Sequence, residues 1–229
     1  MTASEQNEAE PSAAASAPTT TAVREGTHWL RALAVAAGTL VLSGVIETIT
    51  SNAIQSLYPD RPKPPDLLFD LLPHLAWMQF VVEAIYIAGA VLLGIYAFRR
   101  ENRRKIPEII ALFGIMEIFR ALIMWLTPIA APYDAATHFS LVHSVRNWGE
   151  FPSGHAATML LFYLIIDKDE APTIKMSLLW MNVAETFALL MSHSHYSIDI
   201  VGGYLLGYFV YFEYYRGRLF NWLKPLLKV

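Results

Sequence analysis

Two short polar segments carry side chains that suit chemistry on a phosphate. Ser153, Gly154 and His155 stand together beside one long apolar run, and His195 and Asp199 stand beside another. A carboxylate that accepts a hydrogen bond from one imidazole nitrogen leaves the other nitrogen free to attack or to take a proton. The residue types therefore predict a nucleophilic histidine, a carboxylate that orients it, and a second histidine for acid–base catalysis.

The spacing of His195 and Asp199 predicts how the pair is held. Side chains four residues apart share one face of a helix, so we expect a helix to begin near His195 and to bring the two groups together. An aspartate inside an apolar helix is costly to bury and usually has both a partner and a purpose. The alternative interpretation is a purely structural His–Asp pair.

The Ser-Gly-His string predicts the start of another helix. Pro152 fixes the entry of the chain, and Ser153 is a suitable N-cap. Free N–H groups at a helix start attract anions, and Gly154 would let a phosphate approach closely. His155 would then stand beside that phosphate, although capping alone explains the string when it is considered by itself.

The composition indicates a membrane protein. Of the 229 residues, 55% are hydrophobic and 16% are charged, whereas a soluble domain has roughly 25% charged residues. The net charge of -3 does not suggest nucleic-acid binding, and no cysteine is present for disulfides or thiolate chemistry. The chain is therefore expected to be polytopic and embedded in a bilayer.

Apolar runs predict an all-α fold, a bundle of six transmembrane helices. The runs cover approximately residues 30–49, 75–98, 106–126, 154–166, 174–191 and 198–212. The fourth run is too short to cross ~30 Å of hydrocarbon at ~1.5 Å per residue, so it is expected to begin below the surface. We predict a disordered tail at 1–23, a membrane catalytic domain at 24–215, and a basic cytoplasmic tail at 216–229.

The distribution of basic residues predicts the orientation. The loop 99–105 is rich in arginine, and placing it in the cytoplasm puts both termini there as well. The opposite side then keeps only Arg61, Lys63 and Arg146. Both histidine segments fall on this opposite side, so the active site is expected to face the extracytoplasmic or lumenal space.

Charged residues inside the apolar runs supply further candidates. Glu117 lies three residues before Arg120, which predicts either an intrahelical ion pair or a guanidinium that lines the cavity. Glu83 and Glu47 are intramembrane acids that would pair with Arg120 or face the polar cavity. His193 lies two residues before His195, and side chains at this spacing point to opposite sides of a helix. We predict neither a metal nor another cofactor at the site.

At this point the two segments resemble a known group. Phe151-Pro-Ser-Gly-His155 and His195-Tyr-Ser-Ile-Asp199 resemble signatures of the type 2 phosphatidic acid phosphatase superfamily, with a closer likeness to its sphingomyelin synthase branch. The first signature of that branch reads Gly-Asp-x-x-Ser-Gly-His, and this chain has Glu150 in place of the Asp. The second signature of that branch reads His-Tyr-Thr-x-Asp. The upstream stretches that begin at Pro64 and Arg120 also look like that branch, so the resemblance covers roughly residues 64–208.

Two departures separate the chain from the phosphatases of the superfamily. Those enzymes carry Lys-x6-Arg-Pro, but Ile54 stands seven residues before Arg61. They also carry a Ser-Arg pair before the nucleophilic histidine, where this chain has Ala188 and Leu189. The Pro-Ser-Gly-His string is nevertheless the phosphatase form, so a lipid phosphate or pyrophosphate phosphatase remains the alternative function.

The resemblance implies a head-group transferase. His195 would attack the phosphorus of a glycerophospholipid donor, Asp199 would orient it, and His155 would protonate the departing diacylglycerol. The resulting phosphohistidine would pass the head group to a lipid-alcohol acceptor such as ceramide, or to water as a phospholipase C does. Substrate contacts are expected from Ser153, Gly154, Arg120, Glu83, His138, His193 and Tyr196, with His143 as a further pocket candidate. A non-catalytic membrane scaffold or transporter is the alternative from a different class.

Overall fold

The computed structural model describes residues 20–133 and 151–227, with only the backbone described for residues 20–27. Within these ranges every regular element is a helix: α1 (Thr20–Leu57), α2 (Leu67–Leu71), α3 (Met78–Ala97), α4 (Ile106–Leu126), α5 (Gly154–Ile165), α6 (Pro172–Met191), α7 (Ser197–Tyr215) and α8 (Lys224–Leu227). The all-α prediction is therefore confirmed for the described part of the chain. His138, His143, Arg146 and Glu150 lie outside it.

Four helical segments have the length and hydropathy of a membrane span. They are His28–Leu57, Met78–Ala97, Arg103–Leu126 and Pro172–Met191. Of the other two predicted spans, α5 is a shorter apolar helix, and α7 carries Asp199, Glu213 and several tyrosines and is not among the four. The expected short fourth run is thus present as a helix of 12 residues.

The short helix α5 lies at the centre of the bundle and packs against α3, α4, α6 and α7. It contributes to all three apolar clusters of the core, through Ala157 and Leu161, through Met159 and Phe162, and through Ala156. A helix that is apolar on every side is suited to such a position. Around it, α1 packs on α4, and α3 packs on α6.

Helices α5 and α7 approach closely because glycines line their contact. A Cβ atom on Gly203 would lie 2.5 Å from the Ser153 carbonyl oxygen, and one on Gly207 would lie 2.6 Å from the Ala157 carbonyl oxygen. Real Cβ atoms do not approach a carbonyl this closely, so any side chain at either position would push the helices apart. Small residues at such a contact are typical of helix packing in membranes.

Polar contacts tie the loops together at each end of the bundle. At one end Lys105 Nζ lies 2.7 Å from Glu170, which joins the start of α4 to the α5–α6 loop. Hydrogen bonds from Lys105 and Tyr96 lower the pKa of the Glu170 carboxyl. At the other end the Leu75 N–H donates to the Met191 carbonyl at 2.7 Å, and this end holds both histidine segments.

The described parts of the two predicted tails have structure that their sequence did not indicate. Helix α1 begins at Thr20, inside the predicted tail 1–23. Beyond α7, the apolar side chains of Phe220, Leu223 and Leu227 are buried in the same cluster as Ala36 of α1. The basic segment after Tyr215 therefore packs back onto the bundle over its described part.

Candidate active site

His155 is the second residue of α5, and the local sequence explains its position. Ser153 has an extended backbone, and its hydroxyl accepts a long hydrogen bond of 3.4 Å from the Ala156 N–H. The predicted N-cap is therefore confirmed. Because the cap begins the helix at this point, His155 lies in the first turn of α5.

The predicted helix start near His195 is confirmed, although His195 itself lies outside the helix. Helix α7 begins at Ser197, so His195 lies in the loop before it. Asp199 lies in the first turn, where its Oδ2 accepts a hydrogen bond of 3.0 Å from the Tyr196 N–H. Carboxylates favour this capping position because it pairs an orphan N–H with a negative charge. The start of α7 thus brings the pair together, with only Asp199 inside the helix.

The loop nonetheless brings the imidazole to the carboxylate. His195 Nδ1 lies 3.5 Å from Asp199 Oδ2, a separation longer than the usual hydrogen bond of ~2.9 Å. Asp199 has no exposed surface, and His195 is 7% exposed. A buried carboxylate on the Nδ1 side favours a proton on that nitrogen, which leaves Nε2 as the lone-pair nitrogen.

The two signature histidines face each other. The ring centroids of His155 and His195 are 6.0 Å apart, with an interplanar angle of 64°. A hydrogen bond to an oxygen spans ~2.8 Å, and an attacking atom stands ~3–3.5 Å from its target. The two rings therefore lie close enough for one small group to contact both of them.

Arg120 clamps the segment that precedes α5. Its Nε donates to the Pro152 carbonyl at 3.1 Å, and its Nη1 lies 3.3 Å from Glu47 and 3.6 Å from Glu117. The ion pair with Glu117 is the one expected from the sequence, and Glu47 adds a second carboxylate from α1. A Cβ atom on Gly154 would lie 3.1 Å from Arg120 Nε, so the glycine is what allows this approach.

Glu83 faces His155. Its Oε1 lies 3.9 Å from His155 Nε2, and its side chain is buried in α3. Tyr86, one turn further along α3, packs edge-on against the His155 ring at a centroid distance of 5.0 Å. Glu83 therefore lies beside His155.

Aromatic stacking holds the outer wall of the site. His193 stacks on Phe69 at 4.1 Å and on His74 at 4.8 Å, and Phe69 also stacks on Tyr196 at 5.7 Å. Burial and the neighbouring His74 lower the pKa of His193. His193 and Tyr196 therefore belong to the wall that carries the His195 loop.

Two residues near the site were not among the sequence candidates. Asp66 accepts hydrogen bonds from the Ser197 N–H at 2.5 Å and from the Ser197 hydroxyl at 3.1 Å, which fastens the start of α7 to α2. Glu185 is a buried acid of α6, which packs against the helix that carries Glu83. An acid within an apolar run is itself a signal of function, so Glu185 was detectable. In the described ranges no three His, Cys, Asp or Glu side chains are grouped to hold a metal.

Comparisons with known proteins find a family model and several curated proteins that this chain resembles. Residues 151–216 match the model of the PAP2 superfamily C-terminal family. The chain is 25% identical over 210 residues to phosphatidylcholine:ceramide cholinephosphotransferase 1 of Caenorhabditis elegans, and 24% identical over 218 residues to the Homo sapiens protein of that name. It is 22% identical over 210 residues to sphingomyelin synthase-related 1 of C. elegans.

The coverage of these matches is unequal. They include 77%, 80% and 79% of this chain, but only 44%, 49% and 43% of the respective relatives. The chain thus spans about half the length of the curated relatives it matches. The similarity confirms that this chain resembles the sphingomyelin synthase-like branch of the type 2 phosphatidic acid phosphatase superfamily.

Proposed function

We propose that this protein is a membrane enzyme that transfers a phospholipid head group through a phosphohistidine. The observation that carries the proposal is the buried constellation of His155, His195 and Asp199, in which two imidazoles face each other at 6.0 Å and one of them contacts a carboxylate. The names of the relatives, phosphatidylcholine:ceramide cholinephosphotransferases, support a phosphocholine-type head group and a lipid-alcohol acceptor, and we include phosphoethanolamine as a head group of the same type.

In the first half-reaction His195 Nε2 attacks the phosphorus of a glycerophospholipid. A nitrogen–phosphorus bond forms as the bond from phosphorus to the diacylglycerol oxygen breaks, and His155 gives that oxygen a proton. Asp199 stabilises the positive charge that develops on the His195 ring. Diacylglycerol leaves, and the head group stays on His195 as its phosphoramidate.

In the second half-reaction an acceptor hydroxyl approaches the same phosphorus. His155, now neutral, takes the hydroxyl proton as the new oxygen–phosphorus bond forms and the bond to His195 breaks. With a lipid alcohol such as ceramide the product is a phosphosphingolipid, and with water it is a free phosphorylated alcohol. His155 ends the cycle with the proton it held at the start.

The charge at the site supports a phosphodiester donor over the monoester that a lipid phosphatase would use. Arg120 lies against the segment before α5, but Glu47 and Glu117 neutralise its guanidinium. A diester carries one negative charge and a monoester carries close to two, so a diester needs fewer fixed cations.

The topology supports an orientation with the site on the extracytoplasmic or lumenal side. The histidine segments lie at one end of the bundle, and the basic loop around Lys105 lies at the other end, tied to Glu170. By the positive-inside rule the basic end faces the cytoplasm. We propose six crossings, in which α5 and α7 complete the four longer spans within the domain 24–215, and the segments 1–23 and 216–229 lie on the cytoplasmic side.

The test uses purified protein in vesicles that contain labelled phosphatidylcholine, phosphatidylethanolamine, phosphatidylinositol or phosphatidic acid, with and without ceramide. We expect a labelled head group on ceramide or in solution, and its loss in His195→Ala. Acid-labile label on the wild-type protein after a donor-only incubation would identify the phosphohistidine. Release of inorganic phosphate from phosphatidic acid, with no turnover of the diesters, would instead show the phosphatase.

A further inference from the structure

Asp66 holds two helix starts with one carboxylate. It is the N-cap of α2, where its Oδ1 accepts the Leu68 N–H at 2.9 Å. Its Oδ2 accepts the Ser197 N–H at 2.5 Å, and its Oδ1 also accepts the Ser197 hydroxyl at 3.1 Å. Hydrogen bonds to a carboxylate are shorter and stronger than those between neutral groups. Two residues 131 positions apart are therefore joined at the wall of the site.

Bonds to the end of α6 hold the loop on the side before His195. The Ser194 N–H donates to the Leu189 carbonyl at 3.1 Å. The hydroxyls of Ser192 and Ser194 lie 2.6 Å apart, and the Ser192 hydroxyl donates to the same carbonyl at 3.1 Å. The loop is thus anchored to α6 up to the residue immediately before the histidine.

On the side after His195, carboxylates accept the N–H groups that open α7. The first N–H groups of a helix have no acceptor within the helix itself. Asp199 accepts the Tyr196 N–H from within the same turn, whereas Asp66 accepts the N–H of Ser197 from α2. Asp66 therefore ties this side of the loop to a different helix.

Helix α2 is itself fixed against the loop and against the core. Phe69 stacks on His193 at a centroid distance of 4.1 Å and on Tyr196 at 5.7 Å, and these two residues lie on either side of the proposed nucleophile. Leu68 and Leu72 pack against an apolar cluster that α3, α5, α6 and α7 share. A bond to the N-cap of α2 is therefore a bond to an element that is packed on the core.

We propose that Asp66 is a positioning residue for His195 in head-group transfer. By holding Ser197 it fixes the start of α7, and with it the approach of the imidazole to Asp199 and to the donor phosphorus. The inference rests on the proposed function, because the step that Asp66 serves is the attack of His195. An attacking atom must stand ~3–3.5 Å from its target, so a displaced loop slows the attack more than it weakens lipid binding.

The first experiment measures kcat, KM and the burst of phosphohistidine for Asp66→Ala with labelled phosphatidylcholine in vesicles. Alanine removes every acceptor, and a misplacement of ~1 Å can cost 10²-fold, so we expect kcat and the burst rate to fall by about 10- to 10²-fold. The KM for the donor should stay within about twofold. The burst amplitude counts the active molecules, so a slower burst at equal amplitude separates positioning from loss of folded protein.

Two further variants keep this comparison decisive. Asp66→Asn retains one acceptor oxygen for the Ser197 N–H, so its burst should be slowed less, and it replaces the alanine variant if that protein does not fold. Asp70→Asn is the matched control, because Asp70 is an exposed acid one turn further along the same helix. Its burst rate should equal that of wild type.

Amide hydrogen exchange across residues 193–199 tests the same bond without turnover. We expect faster exchange in Asp66→Ala than in wild type or Asp70→Asn, because the Ser197 N–H loses its acceptor. If the wild-type protein turned over none of the lipid donors, the proposed function would fail, and the exchange rates would still show whether Asp66 holds the loop. An unchanged burst rate in the Asp66 variants, or exchange equal to that of wild type, would overturn the proposal.

Discussion

The backbone N–H of Ser153 donates to the backbone carbonyl of Asp199 at 2.9 Å. This bond joins the segment that carries His155 directly to the first turn of the helix that follows His195. The Arg120 guanidinium holds the neighbouring Pro152 carbonyl from the other side. The distance between the two histidines is therefore set by main-chain contacts and does not depend on the side-chain rotamers alone.

The contact between α5 and α7 should tolerate no side chain at position 203. In Gly203→Ala the new methyl would meet the Ser153 carbonyl at 2.5 Å and the Ala156 Cβ at 3.0 Å. Overpacking of this kind destabilises by about 1–3 kcal/mol, and it would separate His155 from His195. We expect a lower melting temperature in detergent and a large loss of kcat.

Gly44→Ala is the matched control for that change. A Cβ on Gly44 has no atom within 4 Å among the described residues, and alanine favours helix over glycine by ~1 kcal/mol. Activity should be unchanged and the melting temperature equal or higher. If Gly203→Ala behaved in the same way, the close approach of the two helices would not be what positions the histidines.

Arg120 should be needed for the fold as well as for activity. Arg120→Met leaves the Glu47 and Glu117 carboxylates without their cation and releases the Pro152 carbonyl. Loss of one partner of a buried ion pair costs about 3–5 kcal/mol. Thermal unfolding in detergent measures this loss. Adding Glu47→Gln and Glu117→Gln should recover stability but not activity, whereas recovered activity would show that the clamp on Pro152 is dispensable.

Asp199→Asn should lower turnover without lowering the stability of the fold. The amide oxygen of asparagine can still accept the Tyr196 N–H, so the start of α7 and the melting temperature should be kept. The neutral amide no longer stabilises an imidazolium on His195, and we expect turnover to fall by about 10²- to 10⁴-fold. Burst measurements with labelled donor should show slower formation of the phosphohistidine, and an unchanged burst rate would contradict the orienting role.

His193 should make the folded protein less stable at acid pH. Its folded-state pKa lies below the ordinary value of 6.5, since burial and His74 disfavour the charged ring. In the interval below pH 6.5 the unfolded chain therefore binds more protons than the folded chain, and stability falls as the pH falls through the folded-state pKa.

The variant His193→Asn tests this dependence. His193 has a φ of 50°, and asparagine tolerates this left-handed backbone better than other residues that have a Cβ. The fall in melting temperature from pH 7.5 to pH 5 should be smaller in the variant than in wild type. Equal slopes would assign the acid sensitivity to other groups.

The sequence alone determined the chemistry of the site and the elements on each side of it. Residue types and spacing predicted the His–Asp pair, the Ser153 cap and the ion pair of Arg120 with Glu117, because each depends on residues within one turn of each other. The apolar runs predicted the helices for the same reason, since hydropathy is a local property. Acids within those runs were also visible, but nothing in the sequence singled out Glu185.

Only the tertiary structure decided which of these parts meet. His195 reaches Asp199 from a loop and not from a helix, Glu83 faces His155 while Glu47 turns to Arg120, and glycines at 203 and 207 let α5 and α7 touch. Apart from the contact of His195 with Asp199, each of these contacts joins residues far apart along the chain. Their partners are selected by packing and by the need to pair buried charges, and these energies exist only once the helices are assembled.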